Sequence, residues 1–176
     1  ILTTTEPDMQ DAIAPHGGRL MNCVSSIDGT PAGARYLEAL PRVTLDERAH
    51  SDLELIACGV LSPLDGFMTE ADHRSVVNDM RLANGLVWSL PVNVATDADT
   101  ANRIPKNGDV VLADAAGKTV GLMRVTDKFS FDWKEEAQRV YLTTEDKHPG
   151  VAYTMQRKPV LLGGPVQLLH PRQPEF

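Results

Sequence analysis

Residues 109–125 decide the fold: Asp109-Val110-Val111-Leu112-Ala113, then Asp114-Ala115-Ala116-Gly117-Lys118, then Thr119-Val120-Gly121-Leu122-Met123-Arg124-Val125. Two β-rich runs flank a short loop that contains glycine, which is the pattern of a β-hairpin. Pro105-Lys106-Asn107-Gly108 supplies a turn just before it. On the C-terminal side, Trp133–Tyr141 reads as a short helix and His148-Pro149-Gly150 as a turn. Val160-Leu161-Leu162 and Val166-Gln167-Leu168-Leu169 read as two strands flanking Gly163-Gly164-Pro165.

Towards the N-terminus the period changes. Thr44-Leu45-Asp46-Glu47 has capping-box spacing, and Leu45, Ala49, Leu53, Ile56 and Val60 recur at steps of three and four, which predicts an amphipathic helix stopping near Gly59. A second helix is expected from Thr69, with Asp72 at its N3 position, through Val76, Val77 and Met80 towards Asn84-Gly85. The linking residues 61–68 are turn-rich. From Leu86 to Ala95 the apolar residues alternate, which predicts a strand that Pro91 confines to an edge or a bulge. Residues 1–18 are a polar lead-in ending at Pro15-His16-Gly17-Gly18, where no regular element is forced.

Helices early and strands late are the α+β signature, and hairpin-sized connections favour a small curved sheet or partly closed barrel with helices packed on it. The 176 residues suit one domain. With 17 Lys and Arg against 24 Asp and Glu, the net charge is -7, which argues against a partner held by phosphate contacts, so no nucleic acid is expected. No apolar run approaches the length of a membrane span, and the first residues lack the character of a signal peptide. Cys23 and Cys58 stand alone, which fits reduced thiols and a cytoplasmic setting. The missing initiator Met predicts a trimmed start, and residues 170–176, with two prolines, read as a linker.

Candidate chemistry is sparse. Gly117-Lys118-Thr119 echoes the end of a phosphate-binding loop, but Leu112 stands where the first glycine belongs, so it reads as a hairpin turn. His16, His50, His73, His148 and His170 are scattered without metal-ligand spacing, and His50 and His73 are expected on helix surfaces. His148, held by the following proline, is the best placed of the five for a functional role. Ser62 lacks the surroundings of a nucleophile elbow. Cys58, at a helix C-terminus, is expected to pack in the core, because the dipole there disfavours a thiolate. Arg81 reads as a helix C-terminal cap or an ion-pair partner. From the residues alone, the chain is an α+β domain without a self-sufficient active site.

Several blocks in register carry a resemblance. Pro15-His16-Gly17-Gly18-Arg19-Leu20, Asp52–Gly59, Leu61-Ser62-Pro63-Leu64-Asp65-Gly66-Phe67-Met68, Met80–Gly85, Trp88-Ser89-Leu90-Pro91-Val92, His148-Pro149-Gly150-Val151 and Leu162-Gly163-Gly164-Pro165-Val166 closely resemble the N-terminal domain of the ATP sulfurylase (sulfate adenylyltransferase) family. The resemblance implies a PUA-like pseudo-barrel over residues 1–169 and, at 170–176, the start of a linker to a catalytic domain absent from this chain. In the family, ATP and sulfate bind through a Gln-x-Arg-Asn-Pro run, a nearby histidine pair and a later Gly-Arg-Asp-His stretch. None occurs here, and Met155-Gln156-Arg157-Lys158-Pro159 lacks both the Asn and the histidines. No catalytic, substrate-binding or metal residue is therefore assigned to this chain, and no cofactor is expected on it. Mg²⁺ would enter with ATP in the parent enzyme. The implied partners are the catalytic domain of the same polypeptide and further copies of the parent. The competing reading is a free-standing PUA-like module for RNA, which the acidic charge and 5% aromatic content do not favour.

Overall fold

The computed structural model describes residues 13–25 and 31–169. The linker expected at 170–176, with His170, lies outside them, as does most of the polar lead-in. His16–Gly18 forms a single 3-10 turn with Gly17 and Gly18 at positive φ, as the glycine pair allows. The elements then run α1 (Pro31–Ala39), β1 (Arg42–Thr44), α2 (Glu47–Ala57), β2 (Gly66–Phe67), α3 (Glu70–Asp79), β3 (Val94–Thr96), α4 (Ala98–Arg103), β4 (Gly108–Ala113), β5 (Thr119–Val125), β6 (Asp127–Ser130), α5 (Trp133–Val140), α6 (Pro149–Gln156) and β7 (Val160–Leu168).

The hairpin is present as read: β4 and β5 pair antiparallel from Gly108↔Val125 to Ala113↔Thr119. Around it the sheet runs β1-β4-β5-β7-β2, with β3 and β6 also paired to β7. One strand therefore carries four antiparallel neighbours, and the sheet curls into a half-barrel. Only β1 joins parallel, against β4.

The stripe of α2 packs into this curl. Leu45, Ala49, Leu53 and Ile56 are all buried and share one core with Val110, Leu112, Met123, Leu162 and Leu168. The helix begins two residues later than the capping-box spacing predicts. Thr44 belongs to β1, and Asp46 caps the helix, its carboxylate accepting the Ala49 N–H at 2.7 Å. Val60 falls beyond the helix end and is 67% exposed, so it drops out of the stripe. In α3, Thr69 caps as expected, but the helix stops at Met80 in the left-handed conformation, well short of Asn84-Gly85.

Three further expectations are corrected. Of the strand predicted over Leu86–Ala95, only Val94–Thr96 is regular. Residues 86–88 are tied instead to the segment just after α3, where Trp88 N–H donates to the Met80 carbonyl and Arg81 bridges Val87. His148-Pro149-Gly150 opens α6 rather than turning, with His148 at the N-cap and Pro149 in the first helical turn. Gly163-Gly164-Pro165 lies inside β7, where a β-carbon on Gly163 would sit 2.7 Å from the Met68 carbonyl oxygen and one on Gly164 2.1 Å from that of Arg124. The glycines permit close backbone approach, not a turn.

Candidate functional site

Two regions concentrate chemistry. The first lies where α3, α5 and α6 meet. Glu136 of α5 is 2% exposed, and its Oε2 accepts a hydrogen bond from Arg157, whose side chain is 4% exposed and stacks its guanidinium 4.0 Å from the Phe131 ring centre. His73 of α3 is buried beside them. Its Nδ1 lies 2.9 Å from Asn93 Oδ1, while Nε2 faces Glu136 Oε2 at 3.6 Å, beyond hydrogen-bond reach. Burial holds the imidazole below its ordinary pKa, against the pull of Glu136 and the Asn93 bond, and Arg157 and Arg74 add to the lowering. A cavity of about 180 Å³ opens beside this knot, lined by Phe129, Phe131 and Asn78 among others. The charges of Glu136 and Arg157 cancel within the knot, and its aromatic walls add no reactive group.

The second region is an open groove of about 380 Å³ between α2 and residues 87–92. Arg48 and Asp52 stand on one wall, one turn apart, and Trp88, Leu90 and Pro91 form the other. Trp88 is oriented by its indole N–H, which donates to the Leu90 carbonyl at 2.9 Å, and His16 packs nearby while bonding the Val87 carbonyl. Burial raises Asp52 to about 6, with Asp46 adding to the rise and Arg48 opposing it.

The residues singled out in the sequence fall elsewhere. His148 is exposed, with Nδ1 accepting the Gly150 N–H at 3.2 Å, so its ring serves as a helix cap. Arg81 lies past the end of α3, whose C-cap is Met80, and donates to the Gly85 carbonyl at 3.0 Å, so it closes a loop and neither caps the helix nor forms an ion pair among the described residues. Ser62 is buried, its hydroxyl donating to the Gly59 carbonyl and accepting the Met21 N–H. Cys58 is exposed rather than in the core, because the helix ends there and turns its side chain outward. His50 and His73 are buried, against the expectation of helix surfaces: both face inward from their helices, and His73 has polar partners waiting. In the Gly117-Lys118-Thr119 loop, the Ala116 and Lys118 amides donate to the Asp114 carboxylate. The groups a phosphate would need are already taken. Among the described residues, no cluster of three or more His, Cys, Asp or Glu is placed to hold a metal ion, and no helix is long and apolar enough to cross a membrane.

The sequence pattern of the PUA-like domain matches residues 13–171. The chain belongs to the PUA-like domain family. Along 170 residues this PUA-like domain is 46% identical to a sulfate adenylyltransferase of Synechococcus sp. (strain JA-3-3Ab), covering 94% of the chain but 43% of that protein. A sulfate adenylyltransferase of Acaryochloris marina is 46% identical over 171 residues, with 95% and 44% covered, and that of Symbiobacterium thermophilum is 45% identical over 161, with 92% and 41%. The PUA-like domain thus spans less than half the length of these curated relatives. Its fold also superposes on a hexameric APS kinase from Thiobacillus denitrificans, at a TM-score of 0.67 and 22% identity over 94% of this chain and 28% of the other.

The knot around His73 was not legible in the sequence. In the sequence Arg157 stands inside a false echo of a nucleotide-binding run, and Glu136 is one residue of a short helix. The structure makes the two of them one buried pair.

Proposed function

We propose that this PUA-like domain is the N-terminal, non-catalytic domain of a cytoplasmic, homo-oligomeric sulfate adenylyltransferase. The observation that carries the reading is identity near one half along almost the whole chain to enzymes of which it spans less than half. In the parent reaction a sulfate oxygen attacks the α-phosphorus of MgATP, the bond to the β-phosphate oxygen breaks, and pyrophosphate leaves adenosine 5′-phosphosulfate behind. Such a transfer needs cationic and backbone donors around the phosphates. This domain offers little of that: its net charge is -7, its one glycine-lysine-threonine loop is closed by Asp114, and its most buried arginine is neutralised by Glu136. The chemistry therefore belongs to the rest of the polypeptide, and the domain acts as scaffold and cover.

The test is sulfate-dependent pyrophosphate release, measured on protein ending at Phe176 and on the longer product of the native gene. Release by the longer product alone is expected. Release by the 176-residue chain that survives repurification overturns the scaffold reading.

A further inference from the structure

We infer that the groove between α2 and residues 87–92, with the apolar surface running from it over the C-terminal end of α2, is the seat of the remaining domain of the longer polypeptide. This rests on the reading that the chain is one part of a sulfate adenylyltransferase.

Large apolar side chains are left in water here. Leu20, Leu55, Val60, Val87 and Leu90 are all exposed, Val60 at 67% and Leu20 at 68%. They are brought together by backbone. The position of a β-carbon on Gly59 is 2.9 Å from Leu20 Cδ1, the Leu61 N–H donates to the Leu55 carbonyl, and His16 ties the lead-in to Val87. Single exposed hydrophobics are ordinary, but a joined set of them beside a groove marks a surface that another body covers. Arg48 and Asp52 at its edge give that body a polar pair to meet.

The occupant is named by the path of the chain. Both ends of the described domain open on this side. Residues 15–18 lie against Pro63, Leu86 and Trp88. At the other end, the Leu168 N–H donates to the Cys23 carbonyl, and the Cys23 N–H donates to the carbonyl of Ala57, the last residue of α2. The described residues at both ends therefore lie close to α2 and residues 86–88, the elements that carry this patch. The relatives carry more than half of their length outside the matched region, enough for a domain to bury an interface of roughly 600–1,500 Å², the usual range between domains of one chain.

The experiment compares amide hydrogen exchange in the 176-residue chain and in the longer native gene product. Peptides spanning 55–61 and 86–91 should exchange at least ~10-fold more slowly in the longer protein, and Val60→Asp with Leu90→Glu should abolish that slowing while leaving the melting of the isolated chain unchanged. Equal exchange in both proteins overturns the inference. So does concentration-dependent dimerisation of the isolated chain that the double variant removes, because a second copy would then be the occupant. Slowed exchange in a longer protein without sulfate-dependent pyrophosphate release upholds the docking surface and overturns the functional reading. Activity without slowed exchange does the reverse.

Discussion

The His73 knot and the Trp88 groove sit on one small domain and treat polar groups in opposite ways. In the knot, acid, base and imidazole are buried against each other and against Phe129 and Phe131, so the charges cancel inside the protein. In the groove, Arg48 is exposed, Asp52 is half-buried, and apolar side chains of residues 87–92 line the facing wall. Burial of charge marks a junction between elements of one fold. Exposure of apolar surface marks a junction with something else. In the knot the buried charges are already paired within the domain.

The sharpest way to break this contrast is to unpair the knot. Arg157→Met leaves Glu136 buried without its cation and should cost about 3–5 kcal/mol, whereas adding Glu136→Leu should restore most of it, since replacing both partners removes the uncompensated charge. Urea midpoints of the two variants test this. A loss below ~1 kcal/mol in the single variant would mean that water reaches the knot and that the two regions are alike.

Next in size is the core beneath the groove wall formed by α2. Leu53 is fully buried under the sheet, and Leu53→Ala should cost about 2–5 kcal/mol through lost burial and the cavity left behind. Denaturant melts that coincide with the parent would show that α2 is wrongly oriented, and with it one wall of the groove.

The two regions should also respond to pH with opposite sign. His73 has its folded pKa lowered from an ordinary 6.5, so the unfolded chain binds the proton more readily, and this contribution to stability is complete above 6.5 and lost as pH falls. Asp52 is raised from 3.8 to about 6, so the folded chain holds the proton more tightly, and its contribution is complete below 3.8 and lost as pH rises through 6. His73→Gln should therefore reduce the loss of stability on acidification below pH 6.5, and Asp52→Asn should remove a decline between about pH 4 and 6. Midpoints measured across that range decide whether the signs differ.

A smaller effect tests how α2 is anchored. Asp46 caps the helix and also accepts the Tyr153 hydroxyl at 3.1 Å from α6. Asp46→Ala should cost about 0.5–2 kcal/mol, and Tyr153→Phe less, by thermal melting.

Much of the fold was legible because it depends on local pattern. The stripe Leu45, Ala49, Leu53 and Ile56, the Thr69 cap and the β4–β5 hairpin are set by spacing and by short connections. What escaped depends on distant neighbours. Gly163-Gly164-Pro165 has turn chemistry on paper, yet the tight approach of Met68 and Arg124 makes glycine necessary inside a strand. The period of two from Leu86 to Ala95 tracks partial burial of Leu86, Trp88 and Val92, but only its last residues find a strand to pair with. For the sites, Gly117-Lys118-Thr119 closes the β4–β5 hairpin, as the leucine in place of the first glycine implies. His73 was misplaced because nothing within α3 announces Glu136 and Arg157, sixty and more positions away.

Strand β7 has one more consequence, for the order of events during synthesis. Its pairings reach back to β2, β3, β5 and β6, and Leu168 holds the Cys23 segment as well. A ribosome making this chain releases α2, α3 and the β4–β5 hairpin long before the strand that joins them. Until residues 160–168 emerge, β2, β3 and β6 lack their strand partner, and closure then requires contacts across about a hundred residues to β2 and about 145 to Cys23, the arrangement that slows folding most. The sheet thus stays open until β7 is made, and the interval just before β7 appears is when a holding chaperone would bind the nascent domain best.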